Sequence, residues 1–121
     1  MPITPLDRQP GSYAMGALVD GPSRWLYVSG QVPEDPSGVP EDFAGQARLA
    51  WRNVLSVLGQ GGMTAANLVK VTIFLADRRY RAENAAVRHE VLGEHSPALT
   101  IIITGIFDEA WLLEIEAVAA A

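Results

Sequence analysis

Hydrophobic and polar positions divide the chain into two kinds of predicted element. Short β-prone runs cover residues 13–19 and 24–29, and the turn-forming residues between them predict a hairpin. Apolar and β-branched runs predict further strands over residues 68–75, 99–104 and 111–119. The chain therefore contains five predicted strands.

Helical spacing of apolar residues predicts two helices between these strands. The first begins after Asp42, a suitable N-cap, and ends at Gly59, Gly61 and Gly62. Its apolar positions are Phe43, Ala47, Ala50, Trp51, Val54, Leu55 and Leu58. The second covers roughly residues 79–92 and stops at Gly93.

The resulting order, ββαβαββ, predicts an α+β fold: a mixed sheet with both helices on one face. A length of 121 residues suits a single domain over residues 1–121. Two helices cover only one face of the sheet. In the strand over 99–104, Leu99, Ile101 and Ile103 point one way and Ile102 the other, so neither face suits free solvation. We therefore expect a homo-oligomer assembled through its sheets.

Charge and composition narrow the expected partners. A net charge of −5 disfavours nucleic acid and anionic lipid, and no run approaches the roughly 18 apolar residues of a membrane span. The chain has no cysteine, and His89 and His95 lack metal-ligand spacing. With no secretory segment at its start, the sequence predicts a cytoplasmic protein that holds no metal and no cofactor and has no nucleic-acid or membrane partner.

Several motifs, taken in order, resemble the RidA family, also called YjgF/YER057c/UK114. The resemblance runs nearly end to end and depends on the order and spacing of the motifs rather than on any one of them. They are Gly11-Ser12-Tyr13, Val28-Ser29-Gly30-Gln31-Val32-Pro33, Gln46 with Asn53-Val54, residues 68–77, Asn84, Pro97-Ala98 and Leu113-Glu114-Ile115-Glu116-Ala117.

This resemblance implies a YjgF-like, chorismate-mutase-like homotrimer with small-molecule clefts between subunits. Members of the family hydrolyse enamines and imines, such as 2-aminoacrylate, to ammonia and a 2-oxo acid. By resemblance, Tyr13 lines the cleft and the backbone around Ser29 and Gly30 helps to hold the substrate carboxylate. Asn84 matches a polar wall residue, and Glu114 matches the glutamate that orients or activates the attacking water.

The chain departs from the family at the residue that grips this carboxylate. Leu99 stands where the family has an arginine, and Ile101 replaces a small polar or thiol residue in the same substrate-binding cleft. A charge-assisted hydrogen bond contributes about 1.5–3 kcal/mol, so its loss weakens binding by at least about 10-fold. We therefore expect a small carboxylate to be disfavoured, and a neutral or amine-bearing ligand to fit better.

Several of the candidate site residues could also have a purely structural role. Glu114 and Glu116 project to one strand face and suit a solvated pair, Tyr13 suits packing, and Asn84 suits a surface or internal hydrogen bond. A basic cluster, Arg78, Arg79 and Arg81, suits a solvated rim or a displaced anion site that compensates for Leu99.

Three functions remain open from the sequence. One is an enamine or imine hydrolase of altered substrate range, with weak or no activity on 2-aminoacrylate. Another is a trimer that binds a small metabolite without turnover, because the arginine is missing. The third is the endoribonuclease activity for which some relatives are named, which the acidic charge disfavours.

Overall fold

The computed structural model describes residues 2–121 of the chain. They contain six strands in one sheet and two α-helices, joined by loops and 3₁₀ turns. The helices are α1 (Phe43–Gln60) and α2 (Arg81–Leu92). The strands are β1 (Ile3–Gln9), β2 (Tyr13–Val19), β3 (Trp25–Gln31), β4 (Leu68–Leu75), β5 (Ala98–Ile103) and β6 (Leu113–Ala120). The predicted α+β class is confirmed.

The strand order across the sheet is β1-β2-β5-β4-β6-β3. Strand β5 runs parallel to its neighbours β2 and β4, whereas the remaining pairs are antiparallel, so the sheet is mixed as expected. Helix α2 joins β4 to its parallel neighbour β5, as such a connection requires.

The predicted hairpin between residues 13–19 and 24–29 is wrong. Strand β2 instead forms its hairpin with β1, which was not predicted, through a turn in which Gly11 and Ser12 have positive φ angles of 96° and 60°. Strand β3 lies at the opposite edge of the sheet, where Trp25 pairs with Ala120 and Val28 with Ala117. Local turn chemistry after β2 carries no information about this long-range pairing.

The helices cover one face of the sheet and enclose the core. Asp42 caps α1 by accepting a hydrogen bond of 3.2 Å from the Gly45 amide, as predicted. Alternate residues of β4 and β6 face the helices and are buried against Trp51 and other apolar residues of α1: Val71, Ile73, Leu75, Leu113, Ile115 and Ala117. Neither helix within residues 2–121 combines the length and the apolarity needed to cross a membrane.

The other side of the sheet, here called the open face, carries the intervening residues of the same strands. Phe74 pairs with Glu114 across β4 and β6, and Ile102 of β5 pairs with Phe74. Apolar side chains remain exposed there: 73% of Tyr27 and 43% of Ile102. The sheet thus has the second, uncovered apolar face that the sequence predicted.

Candidate functional site

A groove of about 770 Å³ lies between α2, the 3₁₀ turn before it and strand β5, on the helix side of the sheet. Ile101 and Ile103 of β5 form one wall, because they share the face of their register partners Ile73 and Leu75. Asn84 of α2 belongs to the opposite wall of the groove. This volume is in the range of small-molecule sites in proteins.

Asn84 is buried in this groove without a partner. Only 1% of the residue is exposed, and neither its Nδ2 nor its Oδ1 atom has a hydrogen-bond partner among residues 2–121. Leaving a buried polar group unsatisfied costs about 1–3 kcal/mol. Such an amide is typical of a site that a ligand completes.

Arg88 lies one helical turn further along α2 and is 4% exposed. Its Nε and Nη2 atoms donate to the Gly11 carbonyl at 3.1 and 2.9 Å, while its buried Nη1 has no partner among residues 2–121. The guanidinium carbon lies 5.9 Å from the centre of the Tyr13 ring. Burial lowers the pKa of Arg88, but an arginine stays charged in proteins. Arg88 therefore brings a fixed positive charge to the groove.

Three further arginines, Arg78, Arg79 and Arg81, line the same groove, so it holds four of the nine basic residues of the chain. Among residues 2–121, no acidic side chain lines it, and the one ion pair lies elsewhere, between Arg48 and Glu90. The basic cluster for which the sequence left a solvated rim or a compensating anion site open thus lies in the same groove as Ile101. Arg88 was not predicted as a site residue; its spacing of four residues from Asn84 places both on one helix face but does not reveal its burial.

The unpaired amide of Asn84 yields a stability prediction. Asn84→Leu replaces it by an apolar side chain of similar size and should raise the free energy of unfolding by about 1–3 kcal/mol. Chemical denaturation at fixed protein concentration measures the change. Asn67→Leu is the control, since Asn67 bonds to the Thr64 amide and the Ala120 carbonyl and its loss should destabilise the protein. Destabilisation by Asn84→Leu would show that the amide is satisfied in solution.

A second cavity, of about 320 Å³, lies on the open face around Glu114 and Glu116. Phe74 lines it, and so does Phe107, which is 95% exposed in the connection between β5 and β6. The two carboxylates share a face, as predicted, because Glu114 pairs with Phe74 and Glu116 with Thr72.

Gly30 lies directly against Glu114. A Cβ atom at Gly30 would lie 2.8 Å from Glu114 Cδ and would overlap its Oε2 atom. The pairing of β3 with β6 is irregular between Val28 and Gln31, the segment that contains Ser29 and Gly30. Both residues are exposed, so this segment and the Glu114 carboxylate form one accessible surface.

Buried amides on α1 hold the loops beside this surface. Gln46 Nε2 donates to the carbonyls of Pro40 and Ala110 at 2.9 and 3.0 Å, and its Oε1 accepts from the Leu112 amide at 2.8 Å. Asn53 Nδ2 donates to the Val32 carbonyl at 2.8 Å. Because these bonds fix the connection that carries Phe107, Gln46 positions one wall of the open-face cavity.

Each of the two histidines forms a hydrogen bond with a residue that is distant in the sequence. His89 Nδ1 lies 2.6 Å from Ser12 Oγ, which itself donates to the Gly93 carbonyl at 2.8 Å. His95 Nε2 lies 2.7 Å from the Leu68 carbonyl oxygen. Within residues 2–121, no group of three metal-ligating side chains converges.

The candidate residues thus fall into two groups. Tyr13, Asn84 and Ile101 lie with the groove on the helix side, whereas Ser29, Gly30 and Glu114 lie on the open face. Leu99 pairs with Val71 and packs partly against the core. A sheet separates the two groups, so they cannot share a pocket within one protomer.

Comparison with known proteins adds both sequence and fold similarity. The chain is 30% identical to TdcF of Escherichia coli over 97% of this chain and 95% of that protein. It is 41% identical to the 2-iminobutanoate/2-iminopropanoate deaminase of Rattus norvegicus, over 55% of this chain and 49% of that protein. The structure of YyfB from Yersinia pestis, of the Rid protein family, superposes with a TM-score of 0.87 at 21% identity and full coverage of both chains.

The family model described as Endoribonuclease L-PSP matches residues 9–121, which include both groups of candidate residues. Together with the order of the motifs and the six-stranded fold, this match shows that the chain belongs to the Endoribonuclease L-PSP family, which is the RidA/YjgF family.

Proposed function

We propose that this chain is an imine or enamine hydrolase of altered substrate range, acting in clefts between the subunits of a homotrimer. The observation that carries the proposal is the placement of the two groups of candidate residues, here called the two half-sites, on opposite faces of one sheet. A second copy that brings its open face to the groove would unite them, with Glu114 and Gly30 from one subunit and Asn84 and Arg88 from the next.

Exposed apolar side chains support the assembly. Tyr27 and Ile102 project from the open face, and the fold contains no third helix within residues 2–121 to cover them. Apolar patches of this kind mark interfaces between subunits. Closed cyclic symmetry would then repeat the same contact, and hence the same cleft, at every subunit boundary.

The chemistry follows from the residues of the two half-sites. The Glu114 carboxylate accepts a hydrogen bond from water and directs it at the imine carbon. The tetrahedral product collapses to ammonia and a carbonyl compound once its nitrogen is protonated. Asn84 and Tyr13 form the wall that holds the substrate. General acid-base catalysis of this kind contributes about 10²–10⁴-fold to the rate.

Two relatives support a small nitrogenous substrate. One carries the name of a 2-iminobutanoate/2-iminopropanoate deaminase, and E. coli TdcF has been crystallised with bound serine. That TdcF structure superposes with a TM-score of 0.77 at 29% identity.

Leu99 favours a second candidate function, namely binding of a small metabolite without turnover. The family's carboxylate-binding arginine is absent from β5, and Leu99 packs partly against the core instead. Three-carbon imines consequently lose the cation on β5 that would align them with water.

Ammonia release from enzymatically generated 2-iminopropanoate tests the proposal. Leu99→Arg should raise kcat/KM for this substrate by at least about 10-fold, because it adds a charge-assisted hydrogen bond to the carboxylate. Leu99→Met, which adds no charge, is the matched control. Native activity already at the level of the arginine variant would contradict the role given to Leu99. Ligand binding with no ammonia released from any imine would favour the binding protein, and RNA cleavage that Glu114→Ala abolishes would favour the endoribonuclease.

A further inference from the structure

The groove contains more arginines than are needed to bind one carboxylate. A single carboxylate offers two oxygens and one negative charge, whereas four guanidinium groups line the groove and no acidic residue among residues 2–121 does. The chain as a whole carries a net charge of −5, so this local excess of positive charge opposes its composition. Asp77, next to Arg78, accepts a hydrogen bond from the Arg79 amide and offsets part of this charge, but the remaining like charges repel one another unless an anion binds between them.

The inner end of the groove provides one anion position. Asn84 and Arg88 both line the groove and lie one helical turn apart. Their unpaired amide and Nη1 atoms are shielded from solvent, so an anion reaches them through a small movement of these side chains. A guanidinium N–H and an amide N–H are suitable donors to the two oxygens of a carboxylate.

The outer end provides a second position. Arg78 and Arg81 are exposed and have no hydrogen-bond or ion-pair partner among residues 2–121, although Arg79 donates to the Tyr80 hydroxyl at 2.9 Å. Arg81 and Arg88 are separated by two turns of α2, about 10 Å along the helix axis. The exposed side chains of Arg78 and Arg81 can reach toward the fixed guanidinium of Arg88, which shortens this gap to the length of a short dianion.

We propose that the groove selects substrates carrying two anionic groups, with Arg88 and Asn84 holding the inner group and Arg78 and Arg81 the outer one. This inference rests on the proposed function, since it names the substrate class of the same cleft. It also explains why the chain dispenses with an arginine at Leu99: the inner anion is held from α2 rather than from β5. The preferred imine is then larger than the three-carbon compound and bears a second acid.

Calorimetric titration of the native oligomer with three stable product analogues tests the proposal. 2-Oxoglutarate and 2-oxo-4-phosphonobutanoate carry a second anionic group, whereas 2-oxopentanoate has a five-carbon chain without one. Both dianions should bind at least about 10-fold more tightly than 2-oxopentanoate. The tighter of the two identifies the outer group as carboxylate or phosphate-like. Equal affinity for all three compounds, or no binding of any, would overturn the proposal.

Substitutions test the contributions of the outer and inner positions separately. Arg78→Gln combined with Arg81→Gln should remove the preference for dianions and leave the Kd of 2-oxopentanoate within about two-fold. Arg48→Gln combined with Arg52→Gln removes the same charge from exposed positions on α1 and should retain the preference. A preference that survives the first pair of substitutions would contradict the outer position.

The inner position is tested with Arg88→Lys, which keeps the charge but loses the second donor and should weaken all three ligands about 10-fold. Since Arg88 also bonds to the Gly11 carbonyl, Asn84→Leu provides the same test if that variant fails to fold. Unchanged affinity in Asn84→Leu would overturn the inner position. Dianion preference without ammonia release would refute only the proposed reaction, and ammonia release with equal binding of the probes would refute only this inference.

Discussion

Glu114→Gln should lower ammonia release from the preferred imine by at least about 100-fold, since a neutral amide cannot accept the proton of the attacking water. KM should change little, because the groove proposed to bind the substrate belongs to the neighbouring subunit and keeps all its residues. The side chain is half-exposed, so the substitution leaves the core and the fold intact. Steady-state kinetics with a coupled ammonia assay measures both constants.

Glu116 supplies the matched control for this prediction. It lies two residues along the same strand, on the same face and in the same cavity, but the side-chain atoms nearest to a Cβ at Gly30 belong to Glu114. Glu116→Gln should therefore retain kcat within about three-fold, as expected for a surface substitution. Equal losses in the two variants would assign the effect to the charge of the open face rather than to one carboxylate.

Gly30→Ala is expected to have the next largest effect. The φ angle of Gly30 is not positive, so its backbone accepts alanine, but the added methyl group would overlap Glu114 Oε2. The carboxylate must then move, and a displacement of about 1 Å at a catalytic group lowers the rate on the order of 100-fold. The loss should fall on kcat, with thermal stability nearly unchanged.

A double variant shows whether Gly30 acts through Glu114. Gly30→Ala should cost nothing further in the Glu114→Gln background, because residues that work as a unit are not additive. Gly59→Ala is the control for a glycine substitution as such, since a Cβ atom there has no neighbour within 4 Å. Additive losses would indicate that Gly30 contacts the substrate independently.

Elements with strong local patterns were predicted well from the sequence. The bounds of β2 and β4 match the prediction, and α1 begins after its predicted cap at Asp42. Strand β1 was not predicted because Pro5, Asp7 and Arg8 break the alternation of apolar positions. It is held by backbone pairing with β2, from Ile3 opposite Val19 to Gln9 opposite Tyr13.

The site shows the same division between local and long-range information. The family motifs identified Tyr13, Gly30, Asn84 and Glu114. The structure places Asn84 in the groove, Glu114 in the open-face cavity with Gly30 against it, and Tyr13 beside Arg88. Arg88 was not predicted as a site residue, because its role depends on its burial and on its hydrogen bond to the Gly11 carbonyl, 77 positions away in the chain. No motif or spacing reports an unpaired guanidinium nitrogen, which exists only once the fold has formed.

Recovery of activity in mixed oligomers tests the central claim, that the cleft is built across a subunit boundary. At a substrate concentration well below KM, Glu114→Gln and Asn84→Leu each impair one half-site, so each variant refolded alone should keep at most about a tenth of native activity. Refolding an equal mixture should restore about a quarter of native activity, because that share of boundaries in a cyclic trimer combines an intact Glu114 with an intact Asn84. A mixture as inactive as its components would place both residues in one protomer's site and contradict the account.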